Sequence, residues 1–189
     1  MINKTKTMVG VGVFTAIVVV LQLLGGGIKV GSLFSITLVL LPIVVGSAVY
    51  SWKAGAWLGF IFGAAVLLSG DAAPFLAISI PATVAVVLAK GTFCGLAAGL
   101  VYKLLQKINA TVAVIAAAVV CPIVNTGIFL LGCWLFFLPD IQKWAVELGY
   151  SDVGAYVIYG LVGINFLVEL GTNIVLSPVI VRLIRIGKK

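Results

Sequence analysis

The sequence predicts an all-α membrane protein that crosses the bilayer as six transmembrane helices. Hydrophobic residues make up 63% of the chain and charged residues only 9%, and the mean hydropathy is +1.31. Soluble domains carry roughly 25% charged residues, whereas about 20 consecutive apolar residues cross a membrane as a helix. About six such segments with short loops fill the chain, so residues 1–189 are predicted to form a single transmembrane domain.

Glycine, proline and polar residues interrupt the apolar runs and set the ends of the predicted spans. In the fourth span, Pro81 either kinks the helix or marks its true start. Pro122 and Pro178 lie inside the fifth and sixth spans. The six spans are residues 7–24, 34–50, 54–69, 75–105, 111–137 and 153–184.

Residues 139–152 form the longest polar connection between spans. Ile141, Trp144, Ala145 and Leu148 recur there at helical spacing and share one face. Two interpretations are open: a short helix lying in the membrane interface, or a plain connector.

The basic residues predict the orientation, because cytoplasmic loops of membrane proteins are enriched in Lys and Arg. With both termini in the cytoplasm, the external side carries only Lys29 and Lys143. The cytoplasmic side then carries Lys4, Lys6, Lys53, Lys103, Lys107, Arg182, Arg185, Lys188 and Lys189. Because the positive charge punctuates apolar segments, the net charge of +7 indicates topology and not nucleic-acid binding.

The residue types needed for a metal site or a catalytic site are sparse. The sequence has no histidine and three cysteines, without a CxxC pair, so no metal site is predicted. The hydroxyl residues lack a recognisable activating base, so the protein is predicted not to be an enzyme.

Lys90 and Glu169 are the two ionisable residues that fall near the middle of predicted spans. A charge at bilayer depth is costly and is retained with a partner, a water-filled cavity or a function. Two readings are open: a structural salt bridge between the two, or a pocket in which one or both contact a polar ligand.

Polar residues near these charges favour a pocket. Asn165, Glu169 and Asn173 recur every four residues and form one helical stripe, and Asn125 lies inside the fifth span. The pocket is predicted to open outward, with a polar floor and an aromatic mouth, as small-molecule sites have. Its floor would hold Lys90, Asn125, Asn165 and Glu169, and its mouth Phe34, Phe75, Tyr156 and Trp134.

Glycines and alanines recur at spacing four on three spans. Gly55, Gly59 and Gly63 share a face of the third span, and Gly91, Gly95 and Gly99 share a face of the fourth. Small residues let membrane helices approach closely, so these two faces are predicted to pack within the bundle. Gly12 and Ala16 on the first span form a similar pair, which would suit docking to another membrane protein.

The chain resembles the substrate-specificity subunits, or S components, of energy-coupling factor (ECF) vitamin transporters. The resemblance rests on the size, the six-helix topology and the basic turns, and on two stretches of sequence. The turn between the second and third spans carries LLPIVVG at 40–46 and YSWKAGAWLG at 50–59. The fourth span carries KGTFCGLAAGLVYK at 90–103, which is similar to the end of the family's fourth helix.

This resemblance implies the function, the partners and the location. Such subunits bind a vitamin or related metabolite from outside and associate with a membrane coupling protein and two cytoplasmic ATPases. They sit in the plasma membrane of bacteria and archaea and need no cofactor of their own, because the partner subunits hydrolyse ATP. The family docks through two alanines four residues apart on the first helix, and Gly12 and Ala16 occupy the matching positions here.

The resemblance also bears on the substrate. In riboflavin-binding members, asparagines of the fifth and sixth helices contact the ligand, and Asn125 and Asn165 match them. The lysine that follows the sixth-helix asparagine is absent here, and Glu169 stands near its place. The substrate is therefore riboflavin-like or another vitamin, and the alternative function is a self-contained small secondary transporter or channel-like protein.

Overall fold

The computed structural model describes residues 4–25 and 38–187, and over these residues the fold is all-α, as predicted. The helices are α1 Lys4–Gly25, α2 Leu40–Val49, α3 Trp52–Ser69, α4 Ala73–Ile78, α5 Ile80–Leu105, α6 Ala110–Gly132, α7 Leu138–Glu147, α8 Val153–Ala155, α9 Gly163–Val175 and α10 Ser177–Gly187. Two π-helical segments, Cys133–Phe137 and Tyr156–Val162, join α6 to α7 and α8 to α9.

Four helical stretches in the described part are long and apolar enough to cross a membrane, and a fifth is a pair bent by 46°. The four are Lys4–Leu24, Trp52–Ser69, Ile80–Leu105 and Ala110–Glu147. The bent pair joins Val153–Val162 to Asn165–Val175. The predicted second span, 34–50, contains the ten-residue helix α2, flanked by turn residues at 38–39 and at Tyr50, and its residues 34–37 lie outside the described residues. The count of six spans and the cytoplasmic termini stay predictions.

Side-chain caps and glycines set several of the helix ends. The Ser51 hydroxyl accepts a hydrogen bond from Ala54 N at the start of α3, at 3.1 Å. The Asn109 side chain accepts from Thr111 N and Val112 N at the start of α6. Gly70 ends α3 with φ = +87°, a conformation that glycine adopts without steric penalty. The caps supply partners for backbone groups that a helix end leaves unpaired.

Prolines divide two of the predicted spans. The stretch 75–105 is interrupted at Ser79, whose backbone is extended, and Pro81 lies in the first turn of α5. Pro81 therefore marks the true start of the long helix and does not kink it. Within the stretch 153–184, α9 ends at its C-cap residue Leu176, two residues before Pro178. Proline has no N–H to donate, so it favours a helix start at both places.

The connection 139–152 contains a helix, so the plain-connector interpretation is wrong. Helix α7 continues the direction of α6 to Glu147 through the π-helical segment. Ile141 and Ala145 are 1% and 2% exposed and pack against Phe75, Phe137 and other residues of a small outer core. Leu148, in contrast, is 59% exposed. Most of the predicted apolar face therefore packs against the protein itself.

Helix α2 lies at the centre of the larger core. Nine of its ten residues are buried, and it contacts α1, α3, α5, α6, α9 and α10. Val39, Leu40, Ile43 and Val44 are almost fully buried there. An apolar helix that is buried all round is typical of a bundle interior, and the longer helices surround it.

Glycines bring α3 and α5 into backbone contact, as predicted. A Cβ atom placed on Gly59 would overlap the carbonyl oxygen of Gly91, and one placed on Gly91 would overlap that of Gly59. Gly55 and Gly95 face each other in the same reciprocal way. Such contacts let two membrane helices pack closely where apolar side chains give little preference for protein over lipid.

Replacing one of these glycines tests the contact. Gly59→Ala is expected to destabilise the protein by about 1–3 kcal/mol, because two backbones must separate to make room for a methyl group. Gly127→Ala on α6 is the matched control, since a Cβ there would meet no atom within 4 Å. Thermal unfolding in detergent measures both, and equal transition temperatures for the two variants would contradict the contact.

Candidate functional site

A cavity of about 390 Å³ lies between the helices. Its walls are mostly apolar, and several polar side chains reach it from widely separated parts of the sequence. The polar lining residues are Gln22, Asp71, Thr83, Lys90, Asn125, Thr126, Asn165 and Glu169. This volume and this mixture are typical of sites for small organic molecules, which combine an apolar body with a few orienting polar groups.

Helix α5 presents two different faces to its neighbours. Thr83, Val86, Val87 and Lys90 line the cavity and recur at the spacing of one helical face. The following residue, Gly91, belongs to the face packed against α3. The close glycine contact therefore holds α5 in the rotation that directs Lys90 toward the cavity.

Lys90 lies beside an aromatic ring, in a cavity that it shares with two carboxylates. Its Nζ atom lies 5.0 Å from the centroid of the Phe129 ring, within the range of a cation–π interaction. Glu169 and Asp71 line the same cavity. Because the side chain lines the cavity, its N–H donors also face the space that a ligand would occupy.

The polar stripe of the predicted sixth span faces the protein interior. Asn165 and Glu169 on α9 both line the cavity, and Glu169 is 6% exposed. Asn173, one turn further along, is buried but does not reach the cavity lining. The stripe therefore contributes two of its three members to the cavity.

Asn125 lies on α6, less than one turn after Pro122, and lines the cavity. Its Oδ1 atom is buried and has no hydrogen-bond partner among the described residues. An unpaired polar atom costs about 1–3 kcal/mol, and such a cost is often found where a protein binds a ligand.

An aromatic cluster lines part of the cavity. The Phe75 ring packs edge-on against Phe129, Phe137 and Trp144, at centroid distances of 5.4, 5.1 and 5.5 Å. Tyr156, 6% exposed, also lines the cavity from the second π-helical segment. Extra residues inserted as π-turns often re-aim side chains at functional sites, and both π-helical segments contribute lining residues here.

The cavity brings together five of the six predicted substrate-binding residues: Lys90, Asn125, Asn165, Glu169 and Tyr156. Phe34 lies outside the described residues. Trp134 was expected at the mouth, but it is 65% exposed and does not line the cavity. Trp144 from α7 lines the cavity instead, with its ring against Phe75.

Gln22 and Asp71 line the cavity although sequence reasoning did not select them. Gln22 lies in the last turns of α1, three residues before a run of glycines, and Asp71 lies in the turn after α3. Both therefore resembled residues of span ends and external loops. The signal for Gln22 was present, since it is a lone amide at the end of a strongly apolar helix.

The predicted docking pair lies on the outer surface of the bundle. Gly12 and Ala16 on α1 are both exposed, and no atom lies within 4 Å of a Cβ placed on Gly12. Only 11% of the α1 span is buried within the protein, against 33–44% for the other three long spans. This face of α1 is therefore available to lipid or to another membrane protein.

No cluster of three His, Cys, Asp or Glu residues suited to a metal ion occurs in the part of the chain that the structure describes. Cys94, Cys121 and Cys133 are all buried. They fill small spaces between helices, as buried free cysteines commonly do.

A family model described as "ECF transporter, substrate-specific component" matches residues 6–181. The match covers nearly the whole chain, and the chain therefore belongs to this family. No curated protein and no solved structure matches it. The family consists of substrate-binding subunits of transporters, which are integral membrane proteins and not enzymes.

The unpaired oxygen of Asn125 leads to a stability prediction. Asn125→Leu is expected to raise the free energy of unfolding by about 1 kcal/mol, because it removes a buried polar group that lacks a partner. Gln142→Leu, on the exposed side of α7, is the control and is expected to change stability by less than about 0.5 kcal/mol. Denaturation in detergent measures both, and a marked loss of stability in Asn125→Leu would reveal a partner for its amide.

Proposed function

We propose that this protein is the substrate-specificity subunit of an ATP-driven ECF importer. It binds a small water-soluble vitamin or related metabolite from outside the cell and delivers it across the membrane. Family membership supports the role of substrate-binding subunit. The observation that carries the binding role is that Lys90, Asn125, Asn165 and Glu169, from α5, α6 and α9, line one shared cavity.

The chemistry of the lining indicates the kinds of ligand group that fit. Lys90 suits a carboxylate or another acceptor, and Glu169 suits an amine or another donor. Asn125 and Asn165 can each offer both a donor and an acceptor. Tyr156 and the aromatic cluster around Phe75 supply flat apolar surface for a ring. A riboflavin-like or other heteroaromatic vitamin carrying polar groups at its edges fits this arrangement.

Transport of the bound substrate requires a source of energy outside this chain. The sequence carries no nucleotide-binding motif of the phosphate-loop type. The proposed partners are a membrane coupling protein and two cytoplasmic ATPases, which hydrolyse ATP. The exposed face of α1 around Gly12 and Ala16 is the proposed surface for the coupling protein, because small residues allow close approach of a second helix.

The proposed orientation places both termini in the cytoplasm and the cavity mouth outside, in the plasma membrane of a bacterium or archaeon. The distribution of Lys and Arg supports this orientation. Gln22 and Asp71, which line the cavity, belong to segments that the same topology assigns to the external side. The orientation and the location of the cavity mouth are therefore consistent with uptake from outside.

Reconstitution separates this function from that of a self-contained transporter. Liposomes that contain the protein together with a coupling protein and the two ATPases are expected to accumulate substrate when ATP is supplied on the ATPase side. Liposomes that contain the protein alone are expected to show no uptake above that of empty liposomes. Uptake by the chain alone would contradict the proposal.

The two intramembrane charges provide a test of the site. Lys90→Met and Glu169→Gln are each expected to keep the fold and to reduce the co-purified small molecule per chain by about tenfold or more. Each removes a charge-assisted hydrogen bond worth about 1.5–3 kcal/mol. Mass spectrometry of the extracted ligand gives the amount. If both single variants unfold and the double variant recovers, the two residues form a structural pair instead.

The docking face provides a separate test. Ala16→Leu is expected to leave ligand binding unchanged and to reduce ATP-dependent uptake by about tenfold or more, because the larger side chain separates two closely packed helices. Ala110→Leu, at the exposed start of α6, is the matched control and is expected to transport normally. Full uptake by Ala16→Leu would place the coupling protein elsewhere on the bundle.

A further inference from the structure

Gln22 is held by a hydrogen-bond network that leaves half of its amide unused. Its Nε2 atom donates to Asp71 Oδ2 at 2.7 Å and lies 3.4 Å from Ser69 Oγ. Ser69 Oγ in turn donates to Asp71 Oδ2 at 2.8 Å. Gln22 is only 1% exposed, and its buried Oε1 atom has no hydrogen-bond partner among the described residues.

The orientation of this amide follows from its neighbour. Amide nitrogen and oxygen exchange places when the group rotates by half a turn, but a rotated Gln22 would set its oxygen against the Asp71 carboxylate. An ionised carboxylate only accepts hydrogen bonds, so the nitrogen must face Asp71. Gln22 therefore presents a fixed acceptor at the cavity that it lines.

A purely structural role explains only part of this arrangement. The bond to Asp71 ties α1 to the turn after α3, and that bond would satisfy the nitrogen. The oxygen remains buried without a donor, at a cost of about 1–3 kcal/mol. A hydrogen-bond donor on a bound molecule would pair with this oxygen. The unpaired oxygen would then serve ligand binding.

Asp71 adds negative charge beside this acceptor. It lines the same cavity, and its carboxylate has roughly four acceptor positions, of which Gln22 and Ser69 occupy part. Phe75, four residues later, lines the cavity as well. The neighbourhood thus combines a neutral acceptor, a carboxylate and an aromatic ring, and this combination favours a cationic N–H donor on a flat ring over a hydroxyl.

We infer that Gln22 and Asp71 form a substrate-binding subsite for the amino group of a cationic heteroaromatic ring, in which a protonated ring nitrogen shares its charge with the amino group. The inference rests on the proposed function, since it assigns one end of the substrate in the same cavity. The amino group donates to Gln22 Oε1 and to the Asp71 carboxylate, and the ring lies toward Phe75. Lys90 then remains for an acceptor elsewhere on the substrate.

Three probes of equal ring size test this subsite on the full-length protein in detergent. They are 4-aminoquinoline, quinoline and quinoline-4-carboxylate, and their dissociation constants are measured by titration. The amino compound is expected to bind about tenfold or more tightly than quinoline. That advantage is expected to fall to about threefold or less in Gln22→Leu, which removes the neutral acceptor, and in Asp71→Asn, which removes the negative charge. Gln142→Leu, the same substitution on the exposed side of α7, is expected to retain it.

Asp71→Asn keeps the size of the side chain, so it tests the subsite even if Gln22→Leu does not fold. Equal binding of the amino compound and quinoline, tighter binding of the carboxylate, or an advantage that persists in both variants would overturn the inference. A protein that shows any of these results but still retains a co-purified molecule would leave the proposed function intact. A protein that binds none of the probes and retains no molecule would contradict both.

Discussion

The close contact between α3 and α5 is the interaction on which the remainder of the structure depends. Apolar side chains give membrane helices little reason to associate, because lipid is as apolar as they are. The reciprocal contacts of Gly59 with Gly91 and of Gly55 with Gly95 supply that reason through backbone packing. They also set the rotation of α5, and this rotation directs Lys90 into the cavity instead of into lipid.

The cavity brings charged and polar side chains together away from lipid. Lys90 lies beside the Phe129 ring and shares the cavity lining with Glu169 and Asp71. The buried side-chain oxygens of Gln22 and Asn125 accept no hydrogen bond from the described residues. Asn173 Nδ2 is also buried without a partner among the described residues, but Asn173 does not line the cavity. The two unpaired oxygens that do line it support the proposal that the cavity holds a polar molecule.

Periodicity and charge predicted the helical fold, the glycine faces and the convergence of Lys90, Asn125, Asn165 and Glu169. These features follow from local spacing and from the cost of placing polar groups in lipid, so sequence is sufficient for them. For Pro81 and for residues 139–152 the sequence left two alternatives open, and the break at Ser79 and the helix over residues 138–147 depend on how the chain packs there. Gln22, Asp71 and Trp144 were not predicted to line the cavity. A residue at a span end can face either the solvent or the cavity, and its sequence pattern is the same in both cases.

Native mass spectrometry of the full-length protein and of a variant with a filled cavity tests directly whether the cavity holds the ligand. Thr126 lines the cavity on α6, and Thr126→Trp would occupy space that a ligand needs. We expect one small molecule per chain on the wild-type protein and none on a folded Thr126→Trp variant. The same bound mass on both proteins would place the ligand outside the cavity and would contradict a binding site there.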